Sequence, residues 1–158
     1  MATAQLRSRV RWTLIVLVLA MLILSLPSHH SSGAEPGTAD ELTRIATQFN
    51  DDYQVNDVGP VWDRFDAPSQ AVISRARYLL WHQECPASPG AAETLSARHI
   101  SGGWWVVDYS IGGVVLHDYW HQVQGRWRFS LMRSNPSAAA LYSSSFANYA
   151  RTSGCRAG

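Results

Sequence analysis

The spacing of apolar residues in this chain changes at Pro89 from a helical period to strict alternation, and that change constrains the fold more than any other feature. Behind it lie four alternating runs, Glu93 to Ser101, Trp104 to Ile111, Val114 to Val123 and Arg126 to Arg133. Gly102-Gly103, Gly112-Gly113 and Gln124-Gly125 separate them, and each pair suits a tight hairpin because glycine reaches positive φ without a steric penalty. Four runs joined this way read as an antiparallel meander. Two-residue turns at Gly112-Gly113 and Gln124-Gly125 then fix the register. Trp105, Val107, Tyr109, Ile111, Val114, Leu116, Asp118, Trp120, Trp127, Phe129 and Leu131 share one face, on which Asp118 is the single carboxylate. The other face, with Asp108 opposite His117 and with His121, Arg126 and Arg128, is mixed and suits solvent. The first hairpin leaves two registers open. A two-residue turn puts Arg98 on the apolar face in line with Asp118, whereas a three-residue turn puts Leu95, Ala97 and His99 there.

Ahead of Pro89 the pattern is helical. Leu42, Ile45, Ala46, Phe49 and Tyr53 fall on one face of a helix starting at Ala39, with Asp40 and Glu41 in the first turn, where carboxylates suit the dipole. Asp57-Val58-Gly59-Pro60 starts a second helix, striped by Val61, Trp62 and Phe65. Asp66-Ala67-Pro68-Ser69 starts a third, marked by Val72, Ile73, Ala76, Leu79 and Leu80 and running through Trp81 or His82. Asn135-Pro136 stops the last strand, and Pro136 to Phe146 reads as a short final helix. The expected fold is α+β: three N-terminal helices packed on a curved four-stranded antiparallel meander, preceded by an N-terminal apolar helix. Residues 39–146 form the domain, 35–38 a linker and 147–158 a flexible tail.

The first 34 residues set the compartment. Arg7, Arg9 and Arg11 precede Trp12 to Leu26, a run in which only Thr13 and Ser25 are polar. As a helix this run reaches about 22 Å, short of a hydrocarbon core of about 30 Å unless its flanks help, so it is a signal peptide or a marginal anchor. Ser32-Gly33-Ala34 offers a small-x-small cleavage pattern before Glu35. The arginines before the run, with none directly after it, place the remainder outside the cytoplasm. That remainder is a single-pass protein of the cell membrane, or secreted if cleaved after Ala34.

Export makes Cys85 and Cys155 a candidate disulfide, with two unpaired thiols as the alternative. All 13 basic residues are arginine, and beyond residue 34 ten arginines face 12 acidic residues. A net charge of −2 with no cationic cluster excludes nucleic acid as a partner. His117 and His121 stand about 13 Å apart along one strand, too far to share an ion. No metal motif, phosphate loop or serine nucleophile elbow is present, so no cofactor is expected.

A carboxylate walled by tryptophans is costly to ionise, so Asp118 either carries a raised pKa and serves as a base, or is a structural group satisfied by a partner such as Arg98. Asp108 and His117 read as a cross-strand polar pair.

The segments Val61-Trp62-Asp63-Arg64-Phe65, Ser69-Gln70-Ala71-Val72-Ile73-Ser74-Arg75-Ala76, His82-Gln83-Glu84-Cys85-Pro86, Asp118-Tyr119-Trp120-His121 and Gly125-Arg126-Trp127-Arg128-Phe129 resemble membrane-anchored actinobacterial members of the nuclear transport factor 2-like superfamily. The resemblance covers roughly residues 39–146. It implies a cone whose helices cover the concave sheet face, with a pocket at the open end and, in enzymatic relatives, an Asp or His there as general base. Two functional expectations follow. The first is an exported, membrane-tethered, non-catalytic binding or assembly module that engages an envelope protein, with the sheet as a candidate homodimer face. The second is a small-molecule enzyme or carrier, isomerase- or dehydratase-like, with Asp118 as general base and Trp105, Val107, Tyr109, Leu116, Trp120, Trp127, Phe129 and Arg98 lining the pocket. A cavity of at least ~300 Å³ at Asp118 favours the second, and a filled cone with an exposed apolar sheet patch favours the first.

Overall fold

The structure, a computed structural model, describes residues 34–86 and 90–155. The apolar run Trp12 to Leu26 lies outside them. Among the described residues no helix is long and apolar enough to cross a membrane.

Helix α1 (Ala39–Gln54) starts where the Thr38 hydroxyl accepts the Glu41 N–H at 3.2 Å, and it buries Leu42, Ile45, Ala46 and Phe49 as their spacing predicts. Helix α2 (Val58–Asp63) follows, with Asp57 at its N-cap position but making no side-chain capping bond. The third helix expected from the sequence is two. Helix α3 (Ala67–Val72), capped by Asp66, stops at Ile73, whose backbone is extended, and Ser74 caps a new helix α4 (Arg75–Glu84). The restart rotates the buried stripe. Tyr78, Trp81 and His82 turn inward, while Ala76 and Leu80, expected on the core face, are exposed.

Strands β1 (Ala92–His99), β2 (Trp104–Ile111), β3 (Val114–Val123) and β4 (Arg126–Phe129) form one antiparallel sheet in sequence order. Positive φ at Gly112 and Gly113, and at Gln124 and Gly125, closes both two-residue hairpins, and Trp105↔Trp120, Asp108↔His117 and Trp120↔Phe129 pair as predicted. The first hairpin takes the three-residue turn, Ser101–Gly103, which pairs Ala97 with Val107 and Arg98 with Val106. Arg98 is therefore on the face opposite Asp118, because one extra loop residue exchanges the two faces of a strand. A register shift between Thr94 and Ser96 also removes Leu95 from the apolar face and leaves it exposed.

Strand β4 is shorter than the alternation suggests. After Phe129 the chain coils into helix α5 (Leu131–Ser134), and the Ser134 hydroxyl accepts the Tyr119 N–H at 2.8 Å in place of a fourth-strand carbonyl. Helices α6 (Pro136–Tyr142) and α7 (Phe146–Thr152), capped by Asn135 and Ser145, complete the chain. The segment read as a tail carries α7. Tyr149 and Ala150 are buried in the core, and a disulfide joins Cys85 to Cys155 with 5.7 Å between their Cα atoms.

Residues 35–38, expected to pack against nothing, instead close the free edge of β4. Glu35 N–H donates to Gly125 O at 2.7 Å, and its carboxylate accepts the Trp127 N–H at 2.6 Å and Arg64 Nη1 at 2.7 Å. Trp127 Nε1 donates to Pro36 O at 3.0 Å, and Gln122 Nε2 to Glu35 O at 2.8 Å. A carboxylate holding two donors in a partly buried site explains why these residues leave solvent.

Candidate functional site

The inner sheet face and the helices do not fill the space between them. A cavity of about 140 Å³ lies at the C-terminal end of α1, where Phe49, Asn50, Tyr53 and Gln54 reach it. Val61, Phe65 and Tyr78 reach it from α2 to α4; Ala92, Tyr109, Ile111, Asp118 and Phe129 from the sheet; and Leu131, Asn135, Ala138 and Tyr142 from α5 and α6. The rings that form its wall are locked by one another. Phe49 meets Phe129 at 4.8 Å and Trp120 edge-on at 5.2 Å, and Phe65 meets Tyr78 edge-on at 5.4 Å.

Asp118 stands on this wall, buried, with no hydrogen bond or ion pair to any described residue. Burial alone pushes its carboxyl up to about 7. Tyr109, diagonal to it on the next strand, is driven up by burial and by the Asp118 charge. Asn50 Nδ2, Thr94 Oγ1 and Trp120 Nε1 are buried donors around the same face that find no partner among the described residues. Two other carboxylates at the sheet, both better shielded than the exposed Glu93, are answered. Asp66 caps α3 and lies 3.4 Å from His121 Nε2. Asp108 holds His117 Nδ1 at 2.7 Å and the Ser96 hydroxyl at 3.3 Å, with Arg98 Nε at 3.7 Å.

Deeper than the cavity, the Tyr142 hydroxyl joins Tyr53, Tyr78 and Tyr149 and lies 2.8 Å from His82 Nε2. Burial lowers His82 to about 4, so it is neutral at ordinary pH.

Of the eight wall residues expected from the sequence, Tyr109 and Phe129 line the cavity beside Asp118. Val107, Trp120 and Trp127 are fully buried core, and Trp105 packs edge-on against Trp127 at 5.4 Å. Leu116 is exposed, as are Val114 and Val115 beside it at the start of β3. Arg98 is on the opposite face, beside Asp108. The residues missed are those on helices: Asn50, Tyr53, Tyr78 and Tyr142. Tyr78, Trp81, His82 and Cys85 do share a helical face by spacing, a signal hidden behind the more apolar Leu79 and Leu80.

No family model, curated protein or solved structure matches this chain.

Proposed function

We propose that this protein is an extracytoplasmic binding domain of the nuclear transport factor 2-like type, tethered by its N-terminal segment, whose working site is the cavity at Asp118. The observation that carries the reading is a buried carboxyl, without a partner among the described residues, on the wall of an open aromatic-lined cavity. A carboxyl kept only for structure is normally hydrogen-bonded, and the partner expected for it, Arg98, lies across the sheet. The cavity is smaller than the ~300 Å³ of drug-sized sites and matches the ~150 Å³ that accommodates a benzene ring, so the ligand is small. The disulfide between Cys85 and Cys155 supports an oxidising compartment.

The exposed apolar tip at Val114, Val115 and Leu116 favours a second reading, assembly with an envelope protein. A screen of small aromatic fragments by heteronuclear NMR separates the two. Shifts should gather at Asn50, Tyr109, Asp118 and Phe129 and vanish when Ala138→Phe fills the cavity. Shifts confined to Val114–Leu116 would refute the pocket as the working site. Catalysis by Asp118 as general base is the further step of this reading, and it would appear as a turnover rate rising with pH through about 7.

A further inference from the structure

We propose that the cavity at Asp118 binds a small organic ammonium cation, a protonated amine carried on an apolar body; this rests on the reading of the cavity as a small-molecule site. Among the described residues lining the cavity, Asp118 is the only one that carries a full charge when ionised near neutrality, and none is an Arg, Lys or His. The other titratable groups facing the space are phenols: Tyr53 from α1, Tyr78 from α4, Tyr109 from β2 and Tyr142 from α6. Burial holds all four in the neutral form. From α2, β4 and α5 come only Val61, Phe129 and Leu131. His82, behind Tyr142, is uncharged.

Three ligand classes therefore meet this wall differently. An anion meets a carboxylate and no cation, which is repulsive. A neutral apolar molecule seals Asp118 further from water without answering it, which adds desolvation cost. A cation answers the carboxylate with a charge-assisted hydrogen bond and meets a wall that includes the Phe49, Phe65 and Phe129 rings, a residue type that attracts cations. The volume of about 140 Å³ limits the apolar body to roughly one ring or a short branched chain.

The test uses the full chain and two probes of matched shape, benzylamine and benzyl alcohol, titrated by NMR or calorimetry at pH 8 and pH 5. At pH 8 the amine should bind at least about tenfold more tightly than the alcohol, since an ionised partner strengthens the bond. That preference should fall toward unity at pH 5, because below its pKa a carboxyl loses its ionised fraction about tenfold per pH unit. Asp118→Asn should abolish the preference at pH 8 while alcohol binding persists, and Asp108→Asn on the opposite face should leave it unchanged. Equal binding of the two probes at pH 8 would overturn the cation and leave the small-molecule pocket standing. Binding of neither would overturn both.

Discussion

Replacing Asp118 with Asn should stabilise the protein, and by an amount that depends on pH in a direction fixed by the carboxyl's surroundings. The group titrates at about 7 in the folded protein against 3.8 when unperturbed. Between those values the native state holds more protons than the unfolded chain, so its contribution to stability falls as pH rises and the cost is complete above about 7. Roughly three pH units at 1.36 kcal/mol each give about 4 kcal/mol at pH 8, of which about 3 kcal/mol accrues between pH 5 and pH 8.

His82 works in the opposite sense. Its folded pKa of about 4, against 6.5, makes stability rise with pH across that interval, by about 2 kcal/mol. The two groups partly mask each other in the wild type. The difference between Asp118→Asn and wild type cancels His82 and isolates Asp118. Urea unfolding followed by tryptophan fluorescence should show the variant gaining about 3 kcal/mol on wild type between pH 5 and pH 8, with a melting temperature raised on the order of 10 °C at pH 8. A gap of the same size at every pH would mean that Asp118 ionises normally against a hidden partner, and the reading of the cavity would fail with it.

Other perturbations have equally definite outcomes. Cys85→Ser with Cys155→Ser opens a loop of 70 residues and should cost about 4 kcal/mol in denaturant unfolding, and non-reducing mass spectrometry of the wild type should show one linked peptide pair. Glu35→Ala removes the carboxylate that holds Arg64 and the Trp127 N–H, and a loss of about 1–3 kcal/mol is expected in thermal unfolding. Gly125→Ala should cost more than about 1 kcal/mol, because φ is +71° there and the new Cβ would sit 2.8 Å from Ala34 Cβ. A reporter fused after Gly158 should be active only outside the cytoplasm; activity inside would reverse the topology proposed from Arg7, Arg9 and Arg11.

The parts of this fold that a linear reading reaches are those fixed by local chemistry. Gly112-Gly113 and Gln124-Gly125 demand positive φ, and once two turns are fixed the faces of β2, β3 and β4 follow by counting. Asp118 was visible for the same reason, as one carboxylate in an apolar row. Depth was not visible. Alternation says that Trp120, Trp127 and Asp118 share a face, but not that both tryptophans are sealed in the core while Asp118 borders a cavity. That difference depends on where α1, α4 and α6 end. The bulge at Leu95 and the helix restart at Ser74 escaped because each displaces the register by a single step within an otherwise regular pattern. The strap at Glu35 escaped because its acceptors and donors are distant in sequence, on Gly125, Trp127 and Arg64.

That strap makes the fate of the N-terminal segment a question of timing. The peptide bond between Ala34 and Glu35 follows the small-x-small triplet, and in the folded domain it is pinned by the Glu35 N–H on Gly125 O and by Ala34 lying against Gly125. A processing enzyme must draw that bond into its own cleft in extended form, which the folded domain opposes with every contact of Glu35. On the proposed exported topology, cleavage and folding therefore compete for this bond. A chain clipped first folds with an ammonium at Glu35 in place of an amide, still able to donate to Gly125 O. On that same topology a chain that folds first would keep its N-terminal segment, so the speed at which the β3–β4 hairpin forms would set the ratio of released to tethered protein.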